Sequence, residues 1–304
     1  MAEPPRIHIA GDRADLERAV RDGGGELAPL ADADGLVWLG GKPDELPALP
    51  DSLRWVQLPS AGVEQWLRAG VVADGRVWTS ATGSFGLPVA EHALALMLAA
   101  DKSLHSFARE RSWIADGRHH VRALEGETVA IIGAGGIGRA LIGLLAPFGA
   151  EVIAVTRRGR EVPGAALTLP ADRVAEAWGA ARHVVIAAPA TDGTRHLVGA
   201  AELAAMREDA WLINVARGSL VDTDALVEAL RSGSIAGAAL DVTDPEPLPD
   251  GHPLWELGNV LITPHVGTPP ATEKIAFAAR VRENVHRFSA GEPLEGLIDP
   301  AGGY

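Results

Sequence analysis

The feature that most constrains the fold is a repeated alternation of short apolar runs with helix-forming stretches. Between residues 128 and 264, runs rich in Val, Ile and Ala recur at intervals that each leave room for one helix. The runs are 128–132, 151–155, 183–188, 211–216, 236–242 and 259–264. Strands that alternate with helices favour a parallel sheet with crossover helices, because a short turn cannot join two parallel strands. This half of the chain is therefore predicted to form an α/β domain.

The first hundred residues show the same alternation in shorter runs. The runs 7–10, 36–41, 53–59 and 76–81 predict strands, and the stretches 15–25 and 60–70 predict helices. A longer pattern over 87–111 predicts a helix, with apolar residues at Val89, Ala93, Leu94, Met97 and Leu98. Two series of strand–helix units, each long enough for its own sheet, imply two α/β domains.

Composition excludes several classes of function. The 304 residues suit two domains, and 40 acidic against 27 Lys and Arg residues give a formal net charge of −13. Because a protein that tracks a nucleic-acid backbone needs a positive field, we expect no nucleic-acid partner. The absence of cysteine excludes a disulfide framework, a thiolate zinc site, an iron–sulfur centre and a cysteine nucleophile.

The sequence also shows no segment of the length that a membrane requires. The longest apolar run, 93–100, has 8 residues, whereas a helix needs about 20 to cross a bilayer. The N-terminal residues lack the apolar core of a signal peptide. We therefore expect a soluble, cytoplasmic protein with no membrane partner and no metal site.

The most specific motif is a glycine loop, Gly133-Ala-Gly135-Gly-Ile-Gly138, which directly follows the predicted strand 128–132 and opens a helix. Gly133 would permit a tight turn, Gly135 would let the backbone approach a pyrophosphate, and Gly138 would let helix and strand pack closely. The amides of Gly136 and Ile137 would then face the phosphates, helped by the helix dipole. A turn that binds no ligand, an FAD site and an adenosylmethionine site are the alternatives.

The residues after the next strand indicate which dinucleotide binds. A fold that prefers NAD usually places Asp or Glu there, to accept a hydrogen bond from the ribose 2′-hydroxyl. Here Thr156, Arg157 and Arg158 follow the run 151–155. Two guanidinium groups suit a 2′-phosphate, and each charge-assisted hydrogen bond contributes about 1.5–3 kcal/mol. We therefore predict that NADP(H) is preferred over NAD(H), with solvated surface arginines as the alternative.

Three polar residues of the second half each follow a predicted strand: Arg217, Glu246 and His265. Open α/β sheets bind ligands at the carboxyl ends of their strands. Taken singly, the histidine has the simpler interpretation of a structural hydrogen-bonding group, and the other two of surface charges. Together, downstream of a dinucleotide loop, they form a candidate catalytic set.

In these motifs and in several longer segments, the chain resembles the D-isomer-specific 2-hydroxyacid dehydrogenase family. Within that family it most resembles the glyoxylate/hydroxypyruvate reductases. The matching segments cover most of 124–298, and the gaps of 29 and 19 residues between Arg217, Glu246 and His265 agree with the family pattern. The segments are 133–155, 214–230, 239–249, 252–267 and 283–294. The first hundred residues match more loosely, through 59–66 and 88–98.

The resemblance implies NAD(P)H-dependent reduction of a small 2-keto acid to the D-2-hydroxy acid. Arg217 would bind the substrate carboxylate and polarise the carbonyl, and the backbone amides of Ala61 and Gly62 would form a second carboxylate clamp. His265 would donate a proton to the carbonyl oxygen as general acid. Glu246 would accept a hydrogen bond from the other ring nitrogen and orient the imidazole. Because this residue is Glu rather than Gln, the formate-oxidising branch of the family is disfavoured.

The resemblance also assigns further cofactor and substrate residues. Asp241 would hold the nicotinamide carboxamide, with help from the Ala216 carbonyl, and Pro189 and Thr194 would lie near the adenosine half. Trp38 has two interpretations of equal weight, as a contact to the far side of the substrate or as a core residue.

For the whole chain we predict two Rossmann-like, doubly wound parallel-sheet domains with a cleft between them. The substrate domain would comprise 1–97 completed by 276–304, and the dinucleotide-binding domain 98–275. Because of Pro269-Pro270, the sequence does not fix the residue at which the chain returns to the substrate domain. The stretch 99–123, which contains Trp113, resembles the family's dimer arm, so a homodimer is expected. A nucleotide-sensing, corepressor-like protein and an amino-acid dehydrogenase on the same fold are the rival functions.

Overall fold

A computed structural model describes residues 3–117, 121–300 and 302. The chain divides into two compact units, Met1–Phe85 with Pro269–Tyr304, and Gly86–Thr268. Each unit contains one parallel sheet with helices, which confirms the Rossmann-like α/β fold class. Within the described ranges, no helix is both long enough and apolar enough to cross a membrane.

The helices and strands follow the predicted alternation. The strands are β1 (Arg6–Ile9), β2 (Glu26–Leu27), β3 (Gly35–Val37), β4 (Trp55–Gln57), β5 (Val77–Thr79), β6 (Thr128–Ile132), β7 (Glu151–Thr156), β8 (Leu167–Pro170), β9 (His183–Ile186), β10 (Trp211–Asn214), β11 (Gly237–Leu240) and β12 (Val260–Ile262). The α-helices are α1 (Ala14–Asp22), α2 (Glu64–Arg68), α3 (Gly86–Asp101), α4 (Leu104–Phe107), α5 (Gly136–Leu145), α6 (Ala175–Trp178), α7 (Ala200–Ala205), α8 (Thr223–Ser232) and α9 (Pro270–Ala290).

The first unit has the strand order β2-β1-β3-β4-β5, with every neighbouring pair parallel. Successive side chains of a strand point to opposite faces. Val37 and Trp55 accordingly join one core cluster, while Leu36 and Val56 join another. A sheet buried on both faces is the arrangement that βαβ crossovers produce.

A buried polar cluster ties the C-terminal helix α9 to this sheet. Asn284 Nδ2 donates to Gln57 Oε1 at 2.8 Å. The same oxygen accepts from Thr79 Oγ1 at 2.9 Å, and Trp55 Nε1 donates to Thr79 Oγ1 at 2.8 Å. Buried polar groups that satisfy one another rigidify a core and specify one arrangement of its elements. The C-terminal segment therefore completes the first unit.

The return to this unit starts earlier than the predicted residue 276. Helix α9 begins at Pro270, with Pro269 as its extended N-cap. Proline is well tolerated at the first helical position, because its missing N–H would have no intrahelical partner there and its φ is already helical. The stiff Pro269-Pro270 pair is thus the start of the helix.

The second unit has the strand order β12-β11-β10-β9-β6-β7-β8, again all parallel. Val129 and Ile131 of β6 face one core cluster, and Ala130 and Ile132 face another. The chain starts in the middle of the sheet at β6, builds outward through β7 and β8, and then crosses to β9. The carboxyl ends of all these strands lie at one edge, where ligands bind in such sheets.

Helix α3 belongs to the second unit from its first residue. A Cβ placed at Gly86 would lie 2.9 Å from the Gly136 carbonyl oxygen, so the start of α3 packs against the glycine loop. The predicted boundary at residue 97 falls inside this helix. The predicted helix 87–111 is also interrupted, because α3 ends at Asp101 and Ser103 adopts a left-handed φ of 51° before α4.

Candidate active site

The glycine loop has the geometry that close backbone approach requires. Gly133 has a φ of +100°, and a Cβ there would lie 2.5 Å from the backbone of Ala188. A Cβ on Gly138 would lie 2.8 Å from the Gly133 carbonyl oxygen and 3.0 Å from Ile131 Cγ2, so this glycine permits close packing of α5 on β6. Among the described residues, a Cβ on Gly135 would contact nothing within 4 Å, which leaves room above the loop for the predicted phosphate group.

The first turn of α5 provides the donors for such a group. The helix runs from Gly136 to Leu145, and Gly135 is its N-cap. The first amides of a helix have no intrahelical acceptors, and the helix dipole favours negative charge there. Gly136 and Ile137 lie in this turn, as predicted from the motif, and their phosphate-binding role stays a prediction.

The residues expected at the adenosine end follow strands β7 and β9, which flank β6 on its two sides. Thr156 ends β7, its hydroxyl is buried without a hydrogen bond in the described part of the chain, and Arg157 and Arg158 after it are exposed. After β9, Thr194 Oγ1 donates to the Pro189 carbonyl at 2.7 Å, which stabilises that loop. All five predicted residues thus lie at the carboxyl edge of the sheet beside the glycine loop.

Arg217 lies in the loop after β10, and Asn214 shapes this loop. Asn214 Nδ2 donates to the Arg217 carbonyl at 2.8 Å, and Asn214 Oδ1 accepts from the Ala216 amide at 3.1 Å. Arg217 Nη1 donates to the Ala216 carbonyl at 2.7 Å. A Cβ on Gly218 would lie 1.9 Å from the Thr243 carbonyl oxygen, so this loop touches the segment after β11 that leads to Glu246.

The structure brings His265 and Glu246 together. His265 Nδ1 lies 2.7 Å from Glu246 Oε1, and Glu246 Oε2 accepts a longer bond from the Thr243 amide at 3.4 Å. The two side chains are 51% and 42% exposed. An exposed pair contributes at most about 1 kcal/mol to stability, so its main effect is to orient the imidazole. The resemblance to the family implies this contact, and the catalytic role of the pair stays a prediction.

Asp241, between Arg217 and Glu246 in sequence, is 3% exposed and binds the turn that carries His265. Its Oδ1 accepts from the Val266 amide at 2.9 Å and its Oδ2 from the Gly267 amide at 3.0 Å. Its carbonyl accepts from the His265 amide at 2.8 Å. Burial works to raise the pKa of this carboxyl, but hydrogen bonds from His92, Thr263 and the Val266 amide lower the pKa to about 2. Asp241 is therefore an ionised, structural part of the site, and its predicted contact with a carboxamide stays a prediction.

His92 is a site residue that the sequence analysis missed. It lies on α3, and its Nε2 is 2.9 Å from Thr263 Oγ1 and 3.2 Å from Asp241 Oδ1. The only hint in the sequence is a polar residue within the apolar helix pattern Val89–Leu98, and such a residue is usually exposed. The partners lie far away along the chain, Thr263 being 171 residues distant.

The residues predicted to contact substrate from the first unit lie in or near ordered loops. Thr82 Oγ1 donates to the Ala61 carbonyl at 2.9 Å, and Ser60 Oγ donates to the Gly62 carbonyl at 2.7 Å. Trp38 is 9% exposed within the core cluster that contains Leu36 and Val56, as its core interpretation expects. The roles of all three predicted residues in substrate binding stay predictions.

The expected dimer arm, 99–123, contains the end of α3, helix α4 and a segment of turns and bends, and its residues 118–120 lie outside the described residues. Trp113 is 94% exposed.

Among the side chains of residues 3–117, 121–300 and 302, no group of three or more His, Asp or Glu residues is placed to hold a metal ion.

Comparison with known proteins identifies the family. A family model described as the NAD-binding domain of D-isomer specific 2-hydroxyacid dehydrogenases matches residues 93–267. The chain belongs to the D-isomer specific 2-hydroxyacid dehydrogenase family. The matched range contains the glycine loop, Arg217, Glu246 and His265.

Individual family members agree with this assignment. A glyoxylate reductase from Aeropyrum pernix is 36% identical over 234 residues, which cover 73% of this chain and 69% of the relative. An NADPH-dependent glyoxylate/hydroxypyruvate reductase from Sinorhizobium meliloti, solved with NADP and sulfate, has a TM-score of 0.81 at 26% identity, covering 99% of this chain and 100% of the other. A D-isomer specific 2-hydroxyacid dehydrogenase from Xanthobacter autotrophicus, solved with NADPH and MES, has a TM-score of 0.83 at 28% identity over 99% and 100% of the two chains.

This D-2-hydroxyacid dehydrogenase is an NAD(P)-dependent oxidoreductase that acts on a 2-hydroxy or 2-keto acid. The glyoxylate reductases among its relatives agree with the enzyme rather than with the nucleotide-sensing alternative. The open space at Gly135 and the close approach at Gly133 fit a dinucleotide.

Proposed function

We propose that the enzyme reduces a small 2-keto acid of the glyoxylate or hydroxypyruvate type to the D-2-hydroxy acid, with NADPH as the preferred cofactor. The observation that carries the proposal is the 2.7 Å contact between His265 Nδ1 and Glu246 Oε1. This pair follows β11 and β12, at the same sheet edge as the glycine loop after β6. The names of the relatives supply the substrate class.

The chain's own residues would bind the cofactor and handle the proton. The glycine loop and the first turn of α5 would bind the pyrophosphate, with Asp241 and the Ala216 carbonyl near the carboxamide. When bound, the nicotinamide supplies the hydride for the carbonyl carbon. Arg217 would bind the substrate carboxylate through its planar guanidinium, which matches a carboxylate in two parallel hydrogen bonds.

His265 would supply the proton that the reduced oxygen needs. With Nδ1–H donating to Glu246 Oε1, the ring is held in one orientation and Nε2 is the nitrogen that gives a proton to the carbonyl oxygen. In the direction of oxidation the same nitrogen would accept the proton.

The direct test is NADPH consumption by the purified protein with glyoxylate, hydroxypyruvate and phenylpyruvate. We expect turnover with one or both of the two smaller acids and slower turnover with phenylpyruvate. Tight binding of NADPH without consumption by any 2-keto acid would contradict the proposal and favour a sensor. Turnover that requires ammonia would identify an amino-acid dehydrogenase.

The preference for NADPH rests on Arg157 and Arg158, which are exposed at the end of β7 where a ribose 2′-phosphate would lie. Replacing both by serine should weaken NADPH about 10- to 100-fold, because each charge-assisted bond contributes about 1.5–3 kcal/mol. NADH affinity should change little. Arg173→Ser, on the exposed surface of the same unit, is the matched control, and equal weakening of both cofactors would refute the assignment.

We also propose a homodimer formed through the segment 99–123. Leu104 and Trp113 expose apolar side chains there. The same segment contributes Phe107 and Ile114 to a cavity of about 470 Å³, whose lining also includes charged residues such as Arg122. Neighbouring exposed apolar side chains and a cavity are typical of a surface that another protein covers. Sedimentation should show a species of twice the chain mass, and a single monomeric species at micromolar concentration would exclude this interface.

A further inference from the structure

The turn that carries His265 has a backbone conformation that its own residues do not favour. His265 has a φ of +52°, in the left-handed region that residues with a Cβ rarely adopt. Such a conformation persists only where the surroundings stabilise it. Three consecutive amides do so, because those of His265, Val266 and Gly267 all donate to Asp241.

Asp241 is in turn held by two side chains. Thr263 Oγ1 donates to Asp241 Oδ1 at 2.6 Å. Because the hydroxyl proton is used in that bond, the Thr263 oxygen is an acceptor toward His92 Nε2, 2.9 Å away. The same nitrogen lies 3.2 Å from Asp241 Oδ1. His92 therefore donates to both members of the Thr263–Asp241 pair.

His92 connects this turn to the rest of the site through α3. The helix begins at Gly86, which packs against the Gly136 carbonyl in the glycine loop. A Cβ on Gly267 would lie 3.0 Å from Asp241 Oδ2 and 3.8 Å from His92 Cδ2, so the turn itself packs closely on both residues. Helix α3 thus contacts the predicted phosphate loop at Gly86 and the His265 turn at His92, about one and two-thirds turns later.

We propose that His92 is a positioning residue for the proton donor: through Thr263 and Asp241 it holds the left-handed turn that aims His265. The inference rests on the proposed role of His265 as general acid. Within the described part of the chain, His92 makes its side-chain hydrogen bonds to Thr263 and Asp241 and none to His265, so its effect on the reaction comes from the placement of that turn. Catalytic groups need such placement, because a displacement of about 1 Å can cost about 100-fold in rate.

The test compares His92→Phe with His92→Gln and with the exposed control Glu91→Gln on the same helix. Phenylalanine keeps a ring of similar size but cannot donate, whereas glutamine places an N–H donor near the position of Nε2. We expect His92→Phe to lower kcat by about 10- to 100-fold with little change in the KM of the keto acid. The solvent deuterium isotope effect on kcat should rise, because a misplaced donor makes proton transfer more rate-limiting. His92→Gln should restore most of the rate.

Hydrogen–deuterium exchange of the protein without substrate provides a readout that is independent of activity. In His92→Phe the amides of 265–267 should exchange faster, while those of β6 keep their wild-type protection; His92→Gln should reverse the change. Wild-type exchange and wild-type kcat in His92→Phe would overturn the inference. Equal losses of kcat in the Phe and Gln variants would also overturn the inference, as would faster exchange throughout the second unit. Either result would indicate a general structural role for His92.

The two proposals fail in distinguishable ways. If the wild-type protein reduces no 2-keto acid, or if His265→Ala retains full activity, the proposed function fails while the exchange data still report on the turn. If His265→Ala is inactive but His92→Phe is normal in both measurements, only the role of His92 fails.

Discussion

Two imidazole–carboxylate pairs lie side by side in the second unit, and they differ in nearly every physical respect. His92 and Asp241 are 19% and 3% exposed, and Asp241 accepts hydrogen bonds at both carboxylate oxygens and its carbonyl. His265 and Glu246 are about half exposed, with a single bond of 2.7 Å between them. Both pairs join an imidazole to a carboxylate, so the functional groups match and the clearest difference between the pairs lies in their surroundings.

The comparison shows how the buried pair differs from the pair to which we assign the proton transfer. A buried carboxylate with several donors is ionised at any pH near neutrality and cannot exchange protons during a reaction. An exposed imidazole with one carboxylate partner keeps a nitrogen available for proton transfer. Structural pairs and catalytic pairs can therefore be told apart by burial and by the number of hydrogen bonds rather than by residue type.

The largest expected effect comes from the exposed pair. His265→Ala should lower kcat by about 10²- to 10⁴-fold, because it removes the proposed general acid. NADPH affinity should change little, since no cofactor-binding residue is altered. Steady-state kinetics and fluorescence titration measure the two quantities. Turnover at the wild-type rate in this variant would show that the exposed pair has no catalytic role, and the proposed difference in role between the two pairs would be wrong.

Loss of the buried carboxylate should lower stability, to which the exposed pair contributes little. The pKa of Asp241 is lowered from 3.8 to about 2, which corresponds to about 2 kcal/mol of stability at neutral pH. Because the folded-state pKa is the lower one, this contribution is present above about pH 4 and disappears as the pH falls toward 2. Asp241→Asn should therefore unfold more easily than wild type at pH 7, with the difference shrinking in acid. Denaturant titrations from pH 7 down to pH 3 measure this, and a pH-independent difference would contradict it.

The smallest effect is expected for the exposed carboxylate. Glu246→Gln should lower kcat about tenfold, because the amide replaces the carboxylate that accepts from His265 Nδ1 and orients the ring less firmly. The free energy of unfolding should stay within about 0.5 kcal/mol of wild type, as for most surface substitutions. Chemical denaturation beside the kinetic assay tests both. A loss of stability comparable to that of Asp241→Asn would show that burial is not what separates the two pairs.

Sequence reasoning found the strong strands and missed the weak ones. The β6 strand was predicted because 128–132 is an unbroken apolar run before a glycine loop. By contrast β2 has two residues, Glu26 and Leu27, and β8 ends in Pro170. Both are edge strands, which bury little side-chain surface and carry a correspondingly weak apolar pattern.

At the candidate site, too, sequence reasoning succeeds only where a residue leaves a recognisable pattern in the sequence. Arg217, Glu246 and His265 were predicted because each follows a strand of one parallel sheet, and parallel strands end at a common edge. Trp38 could not be assigned, because a tryptophan after a strand suits a core as well as a pocket. The domain boundary near residue 97 differs from the structure because the contact of Gly86 with Gly136 is a packing contact that leaves no periodic pattern.

The amino-acid sequence by itself determined the two α/β units, the dinucleotide loop and the order of the candidate catalytic residues. These depend on local periodicity and on short motifs, whose physical causes act between near neighbours in the chain. Only the tertiary structure decided that Asp241 supports the His265 turn and that His92 supports Asp241. Those roles depend on burial and on hydrogen bonds between residues far apart in sequence, and such contacts exist only once α3 has packed against the sheet.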